Sequence, residues 1–149
     1  MIELLSPAGS PEGVIAAVQN GADAVYMGMG AFNARRGAKN FTDEEFVKAV
    51  RYCHVRGCKV YVTLNTLVND REMRDAVAAA KLASDAGADA LIVQDLGMSY
   101  AIRCALPDIP LHASTQMSLH NLAGVEAAAE MGITLSLIHI SEPTRLGMI

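Results

Sequence analysis

The sequence predicts an α/β fold: a parallel sheet of about six strands alternating with five helices, forming an incomplete TIM-like (β/α) barrel. Three observations predict it. A phrase occurs twice, as Gly21-Ala22-Asp23-Ala24-Val25-Tyr26 and as Gly87-Ala88-Asp89-Ala90-Leu91-Ile92, with a fainter copy at Gly132-Ile133-Thr134-Leu135. Each copy closes an amphipathic helix with a glycine, which tolerates the left-handed backbone that other residues avoid, and then starts an apolar strand. Helix and strand patterns also alternate strictly along the 149 residues, and right-handed crossovers then make neighbouring strands parallel. Lastly, polar residues stand at the carboxyl end of nearly every strand. The turn after the first strand, Ser6-Pro7-Ala8-Gly9-Ser10-Pro11, lacks the G-x-G-x-x-G of a dinucleotide-binding open sheet.

Ile2–Leu5 is predicted as the first strand. Ser10 caps the first helix, Pro11 takes its first position, where a missing N–H costs nothing, and the helix runs to about Asn20. Ala24–Met27 is the second strand, followed by a longer loop through Asn40. Thr42-Asp43-Glu44-Glu45 is a capping box that opens a helix with Phe46, Val50 and Cys53 on one face, ending at Gly57. Lys59–Thr63 is the third strand. Asn69-Asp70-Arg71-Glu72 caps a helix that turns Met73, Val77 and Ala80 inward and ends at Gly87. Ala90–Val93 is the fourth strand, and the helix over about Gly97–Leu106 stops before Pro107. Leu111–Ala113 is a short fifth strand, Asn121 caps the fifth helix, and Ile133–Ile140 reads as the sixth strand.

Composition narrows the function classes. Hydrophobic residues make up 52% and charged ones 19%, which suits buried parallel strands under Ala-rich helices. The net charge of −4 is not that of a chain built to coat nucleic acid, although a small basic loop can still touch a phosphate. Three cysteines argue against a disulfide framework. No basic leader and no apolar run of about 18 residues is present, so a cytoplasmic protein without membrane contact is expected.

In a barrel, chemistry gathers at the carboxyl ends of the strands. That rule selects Ser6, Gly9, Gly28, Asn33, Arg35, Thr63, Asn65, Gln94, Asp95, His112, Ser114 and Gln116. Asp95, His112 and Ser114 are the candidates for catalysis. His112 titrates near neutral pH and Ser114 shares its side of the strand, yet no G-x-S-x-G elbow exists, so positioning is favoured over nucleophilic attack. Asp95 is suited to orient a hydroxyl, hold a cation or act as a base, and equally to cap the next helix. Asn33, Asn65, Gln94 and Gln116 offer amides that hold a substrate without titrating, or that stabilise turns. Arg35, in the basic loop Phe32–Lys39, can grip a carboxylate or phosphate, or be solvated. Cys53, Cys58 and Cys104 read as core packing, and Met27, Met29 and Met98 as gap-fillers, so no metal site is expected.

Several segments together resemble the peptidase U32 family of collagenase-like proteases: Glu3-Leu4-Leu5-Ser6-Pro7-Ala8-Gly9, the Gly21–Tyr26 phrase, Phe32-Asn33-Ala34-Arg35, Lys59-Val60-Tyr61-Val62-Thr63-Leu64-Asn65-Thr66 and Leu111-His112-Ala113-Ser114-Thr115-Gln116. The resemblance covers about residues 2–134. It implies a barrel-like domain that continues beyond this chain, with 1–134 as its N-terminal part. Members are commonly labelled peptidases, which implies a hydrolase acting on a peptide or small-molecule substrate. Other relatives resemble hydroxylation factors for RNA bases or the ubiquinone ring, and several use iron–sulfur clusters. The cysteine-rich signature of the family is absent, so the resemblance assigns neither proteolysis nor a cluster to any residue here. The stretch Leu135-Ser136-Leu137-Ile138-His139-Ile140-Ser141-Glu142-Pro143-Thr144-Arg145 resembles the conceptual translation of a sequencing-library adapter. On that reading 135–149 is a non-native tail, His139 has no function, and the chain is a truncated, inactive fragment. A half-built barrel leaves unpaired sheet edges, and self-association through them is expected.

Overall fold

The strands lie side by side in chain order: β1 (Leu5–Pro7), β2 (Ala24–Gly28), β3 (Lys59–Leu64), β4 (Ala90–Val93), β5 (Leu111–Ala113) and β6 (Ile133–Ser136). Every pairing is parallel. The computed structural model describes residues 2–30, 32–34 and 41–141. Its helices are α1 (Pro11–Gln19), α2 (Asp43–His54), α3 (Met73–Asp85), α4 (Leu96–Ala105), α5 (Leu122–Glu130) and the short α6 (Ile138–Ser141). A doubly wound sheet reverses its strand order; this one never does, so right-handed crossovers put the five connecting helices on one face. The sheet is not closed: β1 and β6 each have one neighbour. Among the described residues no helix is long and apolar enough to cross a membrane.

The two faces divide by strand periodicity. Val25, Met27, Val60, Val62, Leu64, Leu91, Val93, Leu111 and Ala113 are buried against the helices, where they meet Val14, Phe46, Val50, Ala80, Met98 and Ile102. The opposite, inner face carries Ala24, Tyr61, Ala90 and Ile92, with Leu5, Tyr26 and Leu137 packed on them.

The repeated phrase is one structural device used twice. Gly21 (φ 87°) and Gly87 (φ 99°) take left-handed backbone just past α1 and α3. The amide of Ala22 donates to Ala17 O and that of Gly21 to Val18 O; Ala88 to Ala83 O and Gly87 to Ser84 O repeat the pattern. These are Schellman closures, which satisfy the last carbonyls of each helix. The aspartate that follows then ties back to an earlier strand. Asp23 Oδ2 accepts the Leu4 amide at 2.8 Å, and Asp89 Oδ2 accepts the Val60 amide at 2.7 Å.

Ser10, Thr42 and Asn121 cap their helices as predicted, each accepting a backbone amide, and Thr42 and Glu45 complete the capping box. Four expectations need correction. The first strand starts at Leu5 rather than Ile2, because Leu4 spends its amide on Asp23 and β2 offers its first Cα partner at Leu5. The sixth strand ends at Ser136 rather than Ile140, and the chain then turns into α6. A bulge near Leu111 and His112 brings Leu135 opposite His112. Asn69 does not cap α3; its Oδ1 accepts the Arg71 and Glu72 amides one turn earlier, and the buried stripe of α3 is Ala76, Ala80 and Ala83, with Met73 and Val77 at its flank. Cys104 is exposed, not core, whereas Cys53 and Cys58 are buried. Met27, Met29 and Met98 are core residues.

Arg103 on α4 closes the amino-terminal end of the sheet. Its guanidinium donates to the carbonyls of Pro107, Ile109 and Gly132, joining the loop before β5 to the entrance of β6.

Candidate functional site

Register places the inner-face residues in rows. Ala24 lies beside Lys59, Tyr26 beside Tyr61, and Tyr61 beside Ala90. Nearer the carboxyl ends, Gly28 pairs with Thr63, Thr63 with Ile92, Ile92 with His112, and His112 with Leu135. One step further, past Leu64, Val93 and Ala113, stand Asn65, Gln94 and Ser114. The sheet thus brings three of the predicted residues to one rim and His112 just beneath them.

Most of these groups already have structural work. Asn65 Oδ1 accepts the Ala34 amide at 3.0 Å, tying the loop after β2 to the tip of β3. Asn33 is buried, donates to Gly30 O at 3.0 Å, and lies so close to Gly28 that a Cβ there would come within 2.6 Å of its Cγ. Gly28 is therefore required by close approach. Thr63 donates to Met27 O at 3.2 Å. Asp95 is the N-cap of α4: its Oδ1 accepts the Met98 amide at 2.7 Å while Oδ2 faces the Val68 amide at 3.4 Å. Ser114 Oγ accepts the Gln116 amide at 3.3 Å and opens a 3-10 turn, Thr115–Met117, which periodicity does not show. The side chains of Gln94, half-buried, and Gln116, exposed, have no hydrogen-bond partner among the described residues. Ser6 pairs with Val25 and so lies on the helix side, not at the rim; Gly9 is in the exposed turn before α1. Arg35 lies outside the described residues.

His112 is buried on the inner face, and its Nδ1 has no hydrogen-bond partner. Burial pushes its pKa below the ordinary 6.5, against an opposing pull from Glu3. Its ring meets Tyr61 edge-on, with centroids 5.0 Å apart and planes at 78°. The two strands are not neighbours. The contact is a diagonal one across β4, whose Ala90 pairs with Tyr61 and whose Ile92 pairs with His112.

The sequence reading missed Tyr61 and the two residues beneath it, Lys59 and Glu3. Tyr61 donates its hydroxyl to Glu3 Oε1 at 2.6 Å, and Lys59 Nζ donates to Glu3 Oε2 at 2.7 Å. The bonds from Lys59 and then Tyr61 hold the Glu3 carboxyl below its ordinary range, while burial, then Glu3, pushes the Tyr61 phenol up. The signal was available: Lys59, Tyr61 and Thr63 alternate with Val60, Val62 and Leu64, so the polar members share the inner face.

The described residues do not fit an iron–sulfur cluster. Cys53 and Cys58 are buried, and burial pushes the Cys53 thiol up to about 12 and raises that of Cys58, as for core residues. Cys104 is exposed on α4, and among the described residues no three His, Cys, Asp or Glu side chains gather as metal ligands.

Comparison with known proteins agrees with this architecture. A 23S rRNA 5-hydroxycytidine synthase of Escherichia coli K12 is 38% identical over 133 residues, 89% of this chain and 20% of that protein. An uncharacterized protease of Methanocaldococcus jannaschii is 40% identical over 122 residues, 81% of this chain and 29% of that protein. A tRNA hydroxylation protein of Bacillus subtilis is 37% identical over 131 residues, 88% of this chain and 31% of that protein. The structure of a U32 peptidase superposes with a TM-score of 0.72 at 15% identity, covering 91% of this chain and 57% of that one, a likeness of fold. The chain spans less than a third of the curated relatives it matches. The profile of Peptidase family U32 matches residues 9–137, nearly the whole of the repeated βα architecture, and the chain belongs to that family.

Proposed function

We propose that this chain is the N-terminal, substrate-facing part of a U32 protein that takes part in hydroxylating an RNA base. The observation that carries the reading is the state of Ser114. A hydrolytic nucleophile needs a base within hydrogen-bond reach. Ser114 instead receives the Gln116 amide, while the Nδ1 of His112 has no partner. Asp95, the remaining catalytic candidate, is spent on the α4 cap. What the rim offers is the neutral amide of Gln94, flanked by Asn65 and Ser114. Such groups read the edge of a flat heterocycle and leave the bond-breaking chemistry to another agent. Two relatives carry RNA hydroxylation in their names, which supports the same reading. Arg35 and the basic loop around it supply the phosphate contact on this view.

A peptidase acting on collagen-like or other peptides is the second reading, favoured by the relative named a protease. The experiment compares RNA nucleosides by mass spectrometry between a host with the gene intact and one with it disrupted. Loss of a hydroxylated pyrimidine is the expected result. Unchanged nucleosides, together with peptide cleavage lost in the disrupted strain, would favour the peptidase instead.

A further inference from the structure

We propose that the uncharged outer face of α4 is an interdomain seat, on which the downstream part of the longer U32 protein docks. This rests on the reading that the chain is the N-terminal part of such a protein, and not on its RNA substrate. Met98, Ser99 and Ile102 turn α4 toward the sheet. Leu96, Tyr100 and Cys104, each four residues from the next, stand together on the other side, and Leu96 and Tyr100 are 56% and 65% exposed. The one charged residue of α4 is Arg103, and its guanidinium is spent on the carbonyls of Pro107, Ile109 and Gly132. The helices before it differ: α2 exposes Glu44, Lys48 and Arg51, and α3 exposes Arg74, Lys81 and Asp85. The Val68 amide, 3.4 Å from Asp95 Oδ2, brings the adjacent and exposed Leu67 to the amino end of the same face. A surface helix ordinarily turns charged residues to solvent, whereas a charge-free face with an aromatic has the composition of an interface core.

Charge and area decide what covers this face. An RNA backbone finds no cation on it to meet the phosphates. Tyr100, the largest member, offers at most about 250 Å², and the strip from Leu67 to Cys104 falls short of the about 800 Å² that each partner of a standing complex buries. A second copy therefore gains too little here to stay bound. A segment of the same polypeptide needs less, because its tether keeps it near at an effective concentration of about millimolar. The relatives have chain to spare for it. The 133 matched residues are 20% of the Escherichia coli protein, and the 131 matched residues are 31% of the Bacillus subtilis one. A whole barrel takes about 250 residues, which leaves a large part of each relative to pack outside it.

The test uses the full-length protein and reads Cys104 as a built-in reporter. Iodoacetamide is added for timed intervals, and peptide mass spectrometry follows alkylation at each cysteine of this chain. Cys53 and Cys58, buried in the core, report that the fold is intact. Cys104 is expected to react at least about tenfold more slowly in the native protein than in the form carrying Leu96→Glu and Tyr100→Glu together. Both substitutions bring negative charge near the thiol, which by itself slows alkylation, so a faster rate means that the face has been uncovered. Tyr100→Phe should keep the protection. Equal rates in the native protein and the double variant, with Cys53 and Cys58 protected in both, overturn the proposal and leave the longer-protein reading standing. Protection that disappears on dilution gives the face to a second copy, and protection that requires added RNA gives it to nucleic acid; either result overturns the proposal. A gene that ends with this chain removes both the proposal and the longer-protein reading.

Discussion

Asp23 and Asp89 show how a residue earns its place in a repeat. Each follows a left-handed glycine and accepts the amide of a residue at the start of an earlier strand, so helix end and sheet entrance are set together. Asp89 also accepts from His54 Nε2 at 2.9 Å. Asp89→Ala should cost about 1–2 kcal/mol, measured by urea unfolding, because a charge-assisted bond to a backbone amide is lost from a partly exposed site. Gly87→Ala should cost a similar amount, about 1–2 kcal/mol, through left-handed strain; the new Cβ would also stand 3.4 Å from His54 and Val50. Acid should weaken the fold in two stages. The folded chain keeps His112 neutral below its ordinary 6.5, so the unfolded chain binds that proton first, and stability falls as pH drops beneath 6.5. Glu3 is held below its ordinary 4.5, so its contribution is full above that value and is lost as pH falls below it. Urea melts across the acid range should show both falls, and His112→Phe should abolish the upper one. At this scale the sequence displayed the repeated aspartate and the rim amides. Alternation along β3 displayed Tyr61 on the inner face, but not its partner Glu3, which lies 58 residues away in sequence.

Elements were legible where local chemistry decides them. Ser10-Pro11, the Thr42–Glu45 box and Asn121 mark true helix starts, since the capping bond is made within three residues. Boundaries were less legible where distant groups decide. The start of β1 depends on Asp23, and the end of β6 on where its pairing with β5 stops. The inward face of α3 was legible, since Met73, Val77 and Ala80 all pack on the core; periodicity did not show that its most buried members are Ala76, Ala80 and Ala83. Asn65 belongs to this scale too, as a tether between β3 and the loop after β2. Asn65→Ala should raise hydrogen exchange at the Ala34 amide by at least about tenfold while amides within β3 keep their protection. Unchanged exchange at Ala34 would mean that the 3.0 Å bond does not hold the loop.

The whole molecule is a run of six parallel strands with helices on one side and a rim of amides at one end. That much was legible, because alternation of elements and right-handed crossovers leave few arrangements. Two open edges follow from the same order. Beside β1, Ile2 and Leu4 are 95% and 56% exposed, which adds apolar surface next to unpaired backbone. We propose that the chain by itself self-associates and lacks activity of its own; sizing chromatography should show oligomers, and a sharp monomer peak with cooperative melting would contradict this. Regular structure in β6 stops at Ser136 and the family profile at 137, close to where the adapter-like stretch begins. β6 pairs through Ser136 and Leu137 packs on the inner face, so we propose that the stretch foreign to the fold is what lies beyond these residues.

The central claim is that the rim formed by Asn65, Gln94 and Ser114 faces an RNA base, and complementation tests it most directly. A host lacking the full-length U32 protein receives back either its native gene or the Gln94→Ala form of that gene, with Lys81→Ala on the exposed side of α3 as control. Nucleoside mass spectrometry should show the hydroxylated pyrimidine restored by the native gene and by Lys81→Ala, and reduced by about tenfold or more with Gln94→Ala, as expected for a lost substrate hydrogen bond. Full restoration by Gln94→Ala would contradict the account.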